Sequence, residues 1–208
     1  MLKRFACFLF IGLTATTACS RPLPNVSDGD IIFQTSTSSQ SLAVQHATRS
    51  RYSHMGIIFL RHGHPYVFEA SATVRYTPLA KWIARGQDGK AVIKRLQGGL
   101  TAAQINKLRT TASSFSGRPY DLTFEWSDSR IYCSELVWKI YDRALGVHIG
   151  ELQKLREFDL SDPVVHAKLN ERYGNAVPMN EVVISPAAMF DSPLLVNVSD
   201  AGTDLMRK

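Results

Sequence analysis

Two apolar runs on either side of a tight turn limit the fold of this chain more than any other stretch. His54 to Leu60 and Pro65 to Ala70 read as strands, and Arg61-His62-Gly63-His64 between them is turn chemistry. If residues 61–64 form the loop, Leu60 pairs with Pro65 and position 54 lies opposite position 71. Glu69 then becomes a diagonal neighbour of His54 on the same face, within roughly 7–8 Å. A slip of one residue would put the two on opposite faces. Further strands are expected at Asp30-Ile31-Ile32-Phe33-Gln34, from Val74 to Thr77, and from Ala91 to Leu96.

Helices dominate the second half. Thr101 with Gln104 makes a capping box, Ile105, Leu108, Ala112 and Phe115 line one face, and Gly117 supplies the stop. A helix starting near Cys133 keeps its apolar spacing through Leu136, Val137, Ile140, Tyr141 and Leu145, and Gly146 ends it. Ser161 to Tyr173 and Ser185 to Phe190 read as helices, the second with Ser185 as cap and Pro186 at its first position. Two short helices are expected in the first half. One spans residues 40–48 behind a Ser38 or Ser39 cap, and the other spans residues 78–84. A strand-rich first half followed by helices implies an α+β class with a small, mainly antiparallel sheet. A chain of 208 residues fits one such domain.

The N-terminus stands apart from the fold. Lys3 and Arg4 precede the apolar run Phe5 to Leu13, and Thr16-Thr17-Ala18-Cys19 follows. That order is a bacterial-type export signal, and its apolar run is too short for a membrane span of about 20 residues. The Ala18-Cys19 pair resembles a lipobox that would lipidate Cys19, although the same stretch also suits ordinary signal peptidase. Removing the signal takes away Lys3 and Arg4 and no acids, so a net charge of +6 becomes +4. The remaining basic residues are scattered without interleaved aromatics, which argues against nucleic-acid binding.

Of three cysteines, Cys7 lies inside the signal and Cys19 at its edge, leaving Cys133 as the only thiol of the domain. An unpaired cysteine in an exported chain is either a small buried hydrophobe or a reactive group. Cys133 falls in the first turn of the expected helix, where unpaired N–H groups and the positive dipole end favour a thiolate. Glu135 beside it reads as an ordinary first-turn acid, and Ser134 as a hydrogen bonder at the helix start. A thiolate needs a proton carrier, usually His. His62 and His64 lie in the turn, His166 lies on a polar helix, His148 follows a helix stop, and His46 suits a helix surface. His54 opens an apolar strand, a position suited to a base or to a structural histidine. A carboxylate at Glu69 would hold its tautomer, as the third member of a triad does.

Other chemistries find no support. Spacings such as H-E-x-x-H or C-x-x-C are absent, so no metal is expected. No G-x-S-x-G, phosphate loop or dinucleotide fingerprint occurs, so no cofactor is expected either.

The quoted residues resemble a known family. Gly29-Asp30-Ile31-Ile32-Phe33, Tyr52-Ser53-His54-Met55-Gly56, Tyr66-Val67-Phe68-Glu69-Ala70, Gly117-Arg118-Pro119-Tyr120-Asp121 and Tyr132-Cys133-Ser134-Glu135-Leu136 look like the permuted branch of the NlpC-like papain-fold hydrolases, in its YiiX/YebB-like group of bacterial envelope proteins. His and acid precede Cys here, the order of the permuted branch. The resemblance implies a circularly permuted papain-like fold, with a small antiparallel sheet packed against the helix that carries the nucleophile. It implies a cysteine peptidase or amidase that cleaves an amide, or an ester or thioester, through an acyl-enzyme, with Cys133 as nucleophile, His54 as base and Glu69 as orienting residue. Tyr120 is expected beside the oxyanion, although a core tyrosine behind a turn proline reads equally well. Tyr132 and Ser134 are carried along as neighbours of oxyanion and substrate.

On this reading residues 1–19 are signal, 20–28 tether, 29–193 hydrolase domain and 194–208 tail. The expected substrate is a peptidoglycan peptide or a lipid-linked group at the periplasmic face of the envelope. The membrane is reached through the N-terminal anchor, and no protein partner is expected. Two rivals remain: a lipid acyltransferase of the lecithin–retinol type, and a non-catalytic envelope binding module. Acyltransferases of that type typically carry Asn-Cys-Glu where this chain has Tyr132-Cys133-Ser134.

Overall fold

The computed structural model describes residues 25–198. The expected signal, the lipidation site at Cys19 and residues 199–208 lie outside the described residues. Six strands form one antiparallel sheet: β1 (Ile31–Gln34), β2 (His54–Arg61), β3 (His64–Ala70), β4 (Val74–Pro78), β5 (Val92–Leu96) and β8 (Leu195–Asn197), in the order β4-β3-β2-β1-β5-β8. Two-residue strands β6 (Gln153–Lys154) and β7 (Val182–Val183) pair separately. The helices are α1 (Ser39–Thr48), α2 (Leu79–Ala84), α3 (Ala102–Ser114), α4 (Cys133–Leu145), α5 (Pro163–Tyr173) and α6 (Pro186–Phe190).

The central hairpin keeps the expected register with a tighter turn. Leu60 pairs with Pro65, and Arg61 also pairs with His64, so the loop contracts to His62 and Gly63. Both have positive φ, 50° and 78°. That geometry matches the right-handed twist of the flanking strands. β2 is apolar at successive positions because both faces of the sheet are covered. Ile31, Phe33, Met55, Ile57, Phe59 and Phe68 belong to the larger core with α3 and α4, whereas Ile32, Ile58 and Val67 pack with Leu79 and Trp82 of α2.

α4 is anchored along its length. Leu136, Val137, Ile140 and Tyr141 are fully buried, and a side chain of this size contributes roughly 1.5–3 kcal/mol when buried. The Tyr141 hydroxyl donates to the carbonyl of Gly29, and Gly146 ends the helix with φ 67°. The segment that leads into α4 is pinned by a parallel bridge between Tyr120 and Ile131. Buried Asp121 orders the turn between them, accepting from Thr123 N at 2.8 Å and Glu125 N at 2.6 Å.

The chain ends of the domain differ from expectation. Leu195–Asn197, placed in a tail from the sequence, forms the edge strand against β5, with Leu195 buried. At the other end Asp28, placed in a tether, accepts Leu60 N at 2.8 Å and a guanidinium hydrogen of Arg109. Both stretches lack the long apolar run that marks a strand in sequence; neighbouring strands and charges recruit them.

Candidate active site

His54 and Glu69 meet as the hairpin register predicts. His54 Nε2 lies 2.7 Å from Glu69 Oε2. The carboxylate is fully buried and takes three further donors: Thr77 Oγ1 at 2.6 Å, Trp82 Nε1 at 2.9 Å and Arg85 Nη2 at 2.6 Å. Burial alone would push Glu69 up. The hydrogen bond and charge of His54, with Thr77 and Arg85, more than reverse this and hold it down to about 2. An ionised Glu69 can only accept, so His54 Nε2 carries the proton and Nδ1 is left to face Cys133. Trp82 also stacks on the imidazole, with ring centroids 5.7 Å apart and an interplanar angle of 22°.

Cys133 is the first residue of α4 and is 4% exposed. The first-turn N–H groups of any helix lack intrahelical partners, so the sulfur sits at a site that favours negative charge. Burial alone would push His54 down. Hydrogen bonding to Cys133 and Glu69, with the attraction of both, instead raises it to about 9. Among the described residues Cys133 is the one free cysteine.

Tyr120 joins this group. Burial raises its hydroxyl well above the ordinary tyrosine value, and the neighbouring Cys133 raises it further, so it stays a neutral donor. Gln40 Nε2 lies 3.3 Å from its oxygen. Tyr132 and Ser134, expected near substrate and oxyanion, line the same cleft, yet their hydroxyls are committed to one backbone residue. Ile184 N donates to Tyr132 Oη at 3.1 Å, and Ser134 Oγ donates to Ile184 O at 2.7 Å. They lock the segment before α6 onto the start of α4. Glu135, expected as an ordinary first-turn acid, is fully buried. Burial raises its carboxyl to about 7 against the pull of Lys139, whose Nζ is 2.7 Å away.

The other histidines stand elsewhere. His46 pairs with Asp162 at 2.8 Å, tying α1 to the cap of α5, and His148 pairs with Asp142 at 2.8 Å. His62, His64 and His166 are exposed.

The cluster opens into a cleft of about 600 Å³ lined mainly by apolar side chains. Ala43, Val44 and Ala47 of α1, Leu155, Phe158 and Leu160 before α5, and Val165 and Leu169 of α5 form its walls. The walls from α1 and α5 and the donors Thr77, Trp82 and Arg85 were not read from the sequence. Thr77 was within reach of the diagonal rule applied to His54, because β4 pairs Arg75 opposite Glu69.

A cysteine at a helix start, facing a histidine held by a buried acid on an antiparallel sheet, defines the papain-like cysteine hydrolases. Residues 25–199 match the family described as permuted papain-like amidase enzyme, YaeF/YiiX, C92 family, and the chain belongs to that family. Uncharacterized protein YiiX of Escherichia coli (strain K12) is 57% identical over 171 residues, covering 82% of this chain and 85% of the relative. A crystal structure described as metalloprotein yiiX from Escherichia coli O157:H7 matches with a TM-score of 0.81 at 57% identity, covering 83% of this chain and 96% of that one. In the present chain no group of three or more His, Cys, Asp or Glu side chains is placed to hold a metal among the described residues. Both Glu69 oxygens and His54 Nε2 already have partners. Among the described residues the side chains present do not assemble a metal centre.

Proposed function

We propose that this chain hydrolyses an amide or ester bond whose acyl part is a long apolar chain, with Cys133 as nucleophile, His54 as general base and acid, and Glu69 as the residue that orients His54. The observation that carries this reading is the clamped His54, with Nε2 fixed by Glu69 and Nδ1 left for Cys133, at the mouth of an apolar cleft. The Cys133 thiolate attacks the carbonyl carbon, forming a C–S bond and an oxyanion. The backbone N–H of Cys133 and the Tyr120 hydroxyl supply hydrogen bonds to that oxyanion. His54 then gives its proton to the leaving amine or alkoxide as the C–N or C–O bond breaks. Water, deprotonated by His54, cleaves the thioester, which releases the acid and regenerates the thiolate.

The mainly apolar walls favour a lipid-linked acyl group over a peptidoglycan peptide, whose polar backbone is costly to desolvate against them. Export through residues 1–19 and lipidation at Cys19 form part of the same proposal, holding the enzyme at the periplasmic face where such groups lie. The test uses p-nitrophenyl acyl esters of increasing chain length with intact-mass detection of the acyl-enzyme. The expected result is an acyl adduct on Cys133, faster turnover of longer esters, and loss of both in Cys133→Ala. Full turnover in Cys133→Ala would end the proposal. Preference for the acetate ester would end its lipid part.

A further inference from the structure

The hydroxyl of Tyr120 can help an oxyanion only if its proton points towards the reacting carbonyl, and a free phenol rotates. Two residues outside the triad restrict it. Gln40, in the first turn of α1, places Nε2 3.3 Å from the Tyr120 oxygen, and its Oε1 accepts from Arg172 Nη2 of α5 at 3.1 Å. A guanidinium has only donors, so the amide oxygen must face Arg172 and the amide N–H groups must face Tyr120. With its oxygen already accepting from Gln40, Tyr120 turns its own proton the other way. Its backbone fixes where the ring stands relative to α4. Tyr120 N donates to Ala72 O at 3.1 Å, and Tyr120 bridges Ile131, two residues before Cys133.

We propose that Gln40, held by Arg172, is a positioning residue that orients the Tyr120 hydroxyl as an oxyanion donor for the reaction at Cys133. This rests on the reading of Cys133 as nucleophile. Gln40 shares a helical face with Ala43, Val44 and Ala47, which wall the cleft. Arg172 lies on the facing helix. The acyl-binding walls and the hydrogen-bond donor are therefore one unit, and the two helices must be docked for the donor to be aligned.

The test is Gln40→Glu, alone and combined with Tyr120→Phe, assayed on p-nitrophenyl dodecanoate beside Cys133→Ala. A carboxylate keeps the Arg172 contact, has no hydrogen for Tyr120, and draws the phenol proton towards itself. Losing one oxyanion donor costs on the order of 100-fold in kcat. The expected result is a fall in kcat approaching that size, with KM within about twofold of wild type. In the Tyr120→Phe background the same change should shift kcat by less than about twofold, because the partner is gone. Gln40→Met, which removes the donor without adding charge, is read in the same way if the Glu variant folds poorly. An equal loss in both backgrounds, or wild-type kcat in Gln40→Glu, overturns the proposal alone. Turnover that survives Cys133→Ala overturns the nucleophile reading and this proposal with it.

Discussion

Glu69 accepts from four side chains on three elements, so its effect on His54 is set by a network. His54 contributes from β2, Thr77 from β4, and Trp82 and Arg85 from α2 and its end. Glu69→Gln removes the charge that holds the imidazolium and leaves Arg85 unpaired. Breaking a fully buried pair from one side costs about 3–5 kcal/mol, and the loss here is smaller because Arg85 is 42% exposed and can turn to water. The expected outcome is a lower Tm, together with an alkaline limb of kcat/KM that moves to lower pH. In the native protein that limb belongs near 9, where His54 loses its proton. The sign for stability follows from the same shifts. His54, raised from 6.5, contributes fully below about 6.5, and that contribution is lost as pH rises through about 9. Glu69, lowered from 4.5, contributes above about 4.5 and loses this as pH falls through about 2. The pair therefore stabilises most between about 4.5 and 6.5. Cys133→Ala removes one upward contribution to His54, so its imidazole should titrate at lower pH by NMR. The His54–Glu69 contact was legible in sequence because a hairpin needs only one register. Trp82 and Arg85 were not, since α2 follows β4 and no local pattern says where it folds back.

The β2–β3 hairpin carries both His54 and Glu69, so its spacing controls how they meet. Gly56 comes two residues after His54 on β2, and a Cβ there would stand 2.5 Å from Val67 Cγ1 and 2.7 Å from the Phe68 carbonyl oxygen. The oxygen belongs to the backbone, so the strands must part to make room. Overpacking of this kind costs typically 1–3 kcal/mol. Gly56→Ala should therefore lower Tm by roughly 2–4 °C per kcal/mol lost. It should also reduce kcat, because the same Cβ would sit 3.3 Å from Glu69 Cβ. A wild-type melting curve and kcat for this variant would show that the hairpin tolerates the wider spacing. α4 was read from sequence through its spacing and its terminal Gly146, and it begins at Cys133 as expected. The contacts of Tyr132 and Ser134 with Ile184 were not legible, because Ile184 lies 50 residues further along the chain from Ser134.

At the scale of the whole molecule, the cleft is assembled from segments that no short stretch of sequence connects. α1 supplies one wall, the residues from Leu155 to Leu160 and α5 supply another, and the Ile184 segment closes the side next to Cys133. From sequence alone α1 reads as a short helix and α5 as a polar helix, because each exposes its apolar face only to the other parts of the cleft. His46–Asp162 and Arg49–Asp159, both 2.8 Å, join α1 to the region around α5. Exposed pairs of this kind contribute little stability, but they hold the two regions beside each other. If an acyl chain fills the space so defined, each buried methylene contributes about 0.8 kcal/mol, roughly fourfold in kcat/KM. Discrimination between long and short esters should then depend on room along α1. Val44→Trp fills part of that room without touching the triad. The long-chain ester should lose kcat/KM by tenfold or more, equivalent to two or more methylenes at about fourfold each. The acetate ester, which reaches only the carbonyl site, should be turned over at close to the wild-type rate. Parallel assays of the two esters on this variant measure whether the cleft binds the acyl chain, and an equal loss on both would place the chain elsewhere.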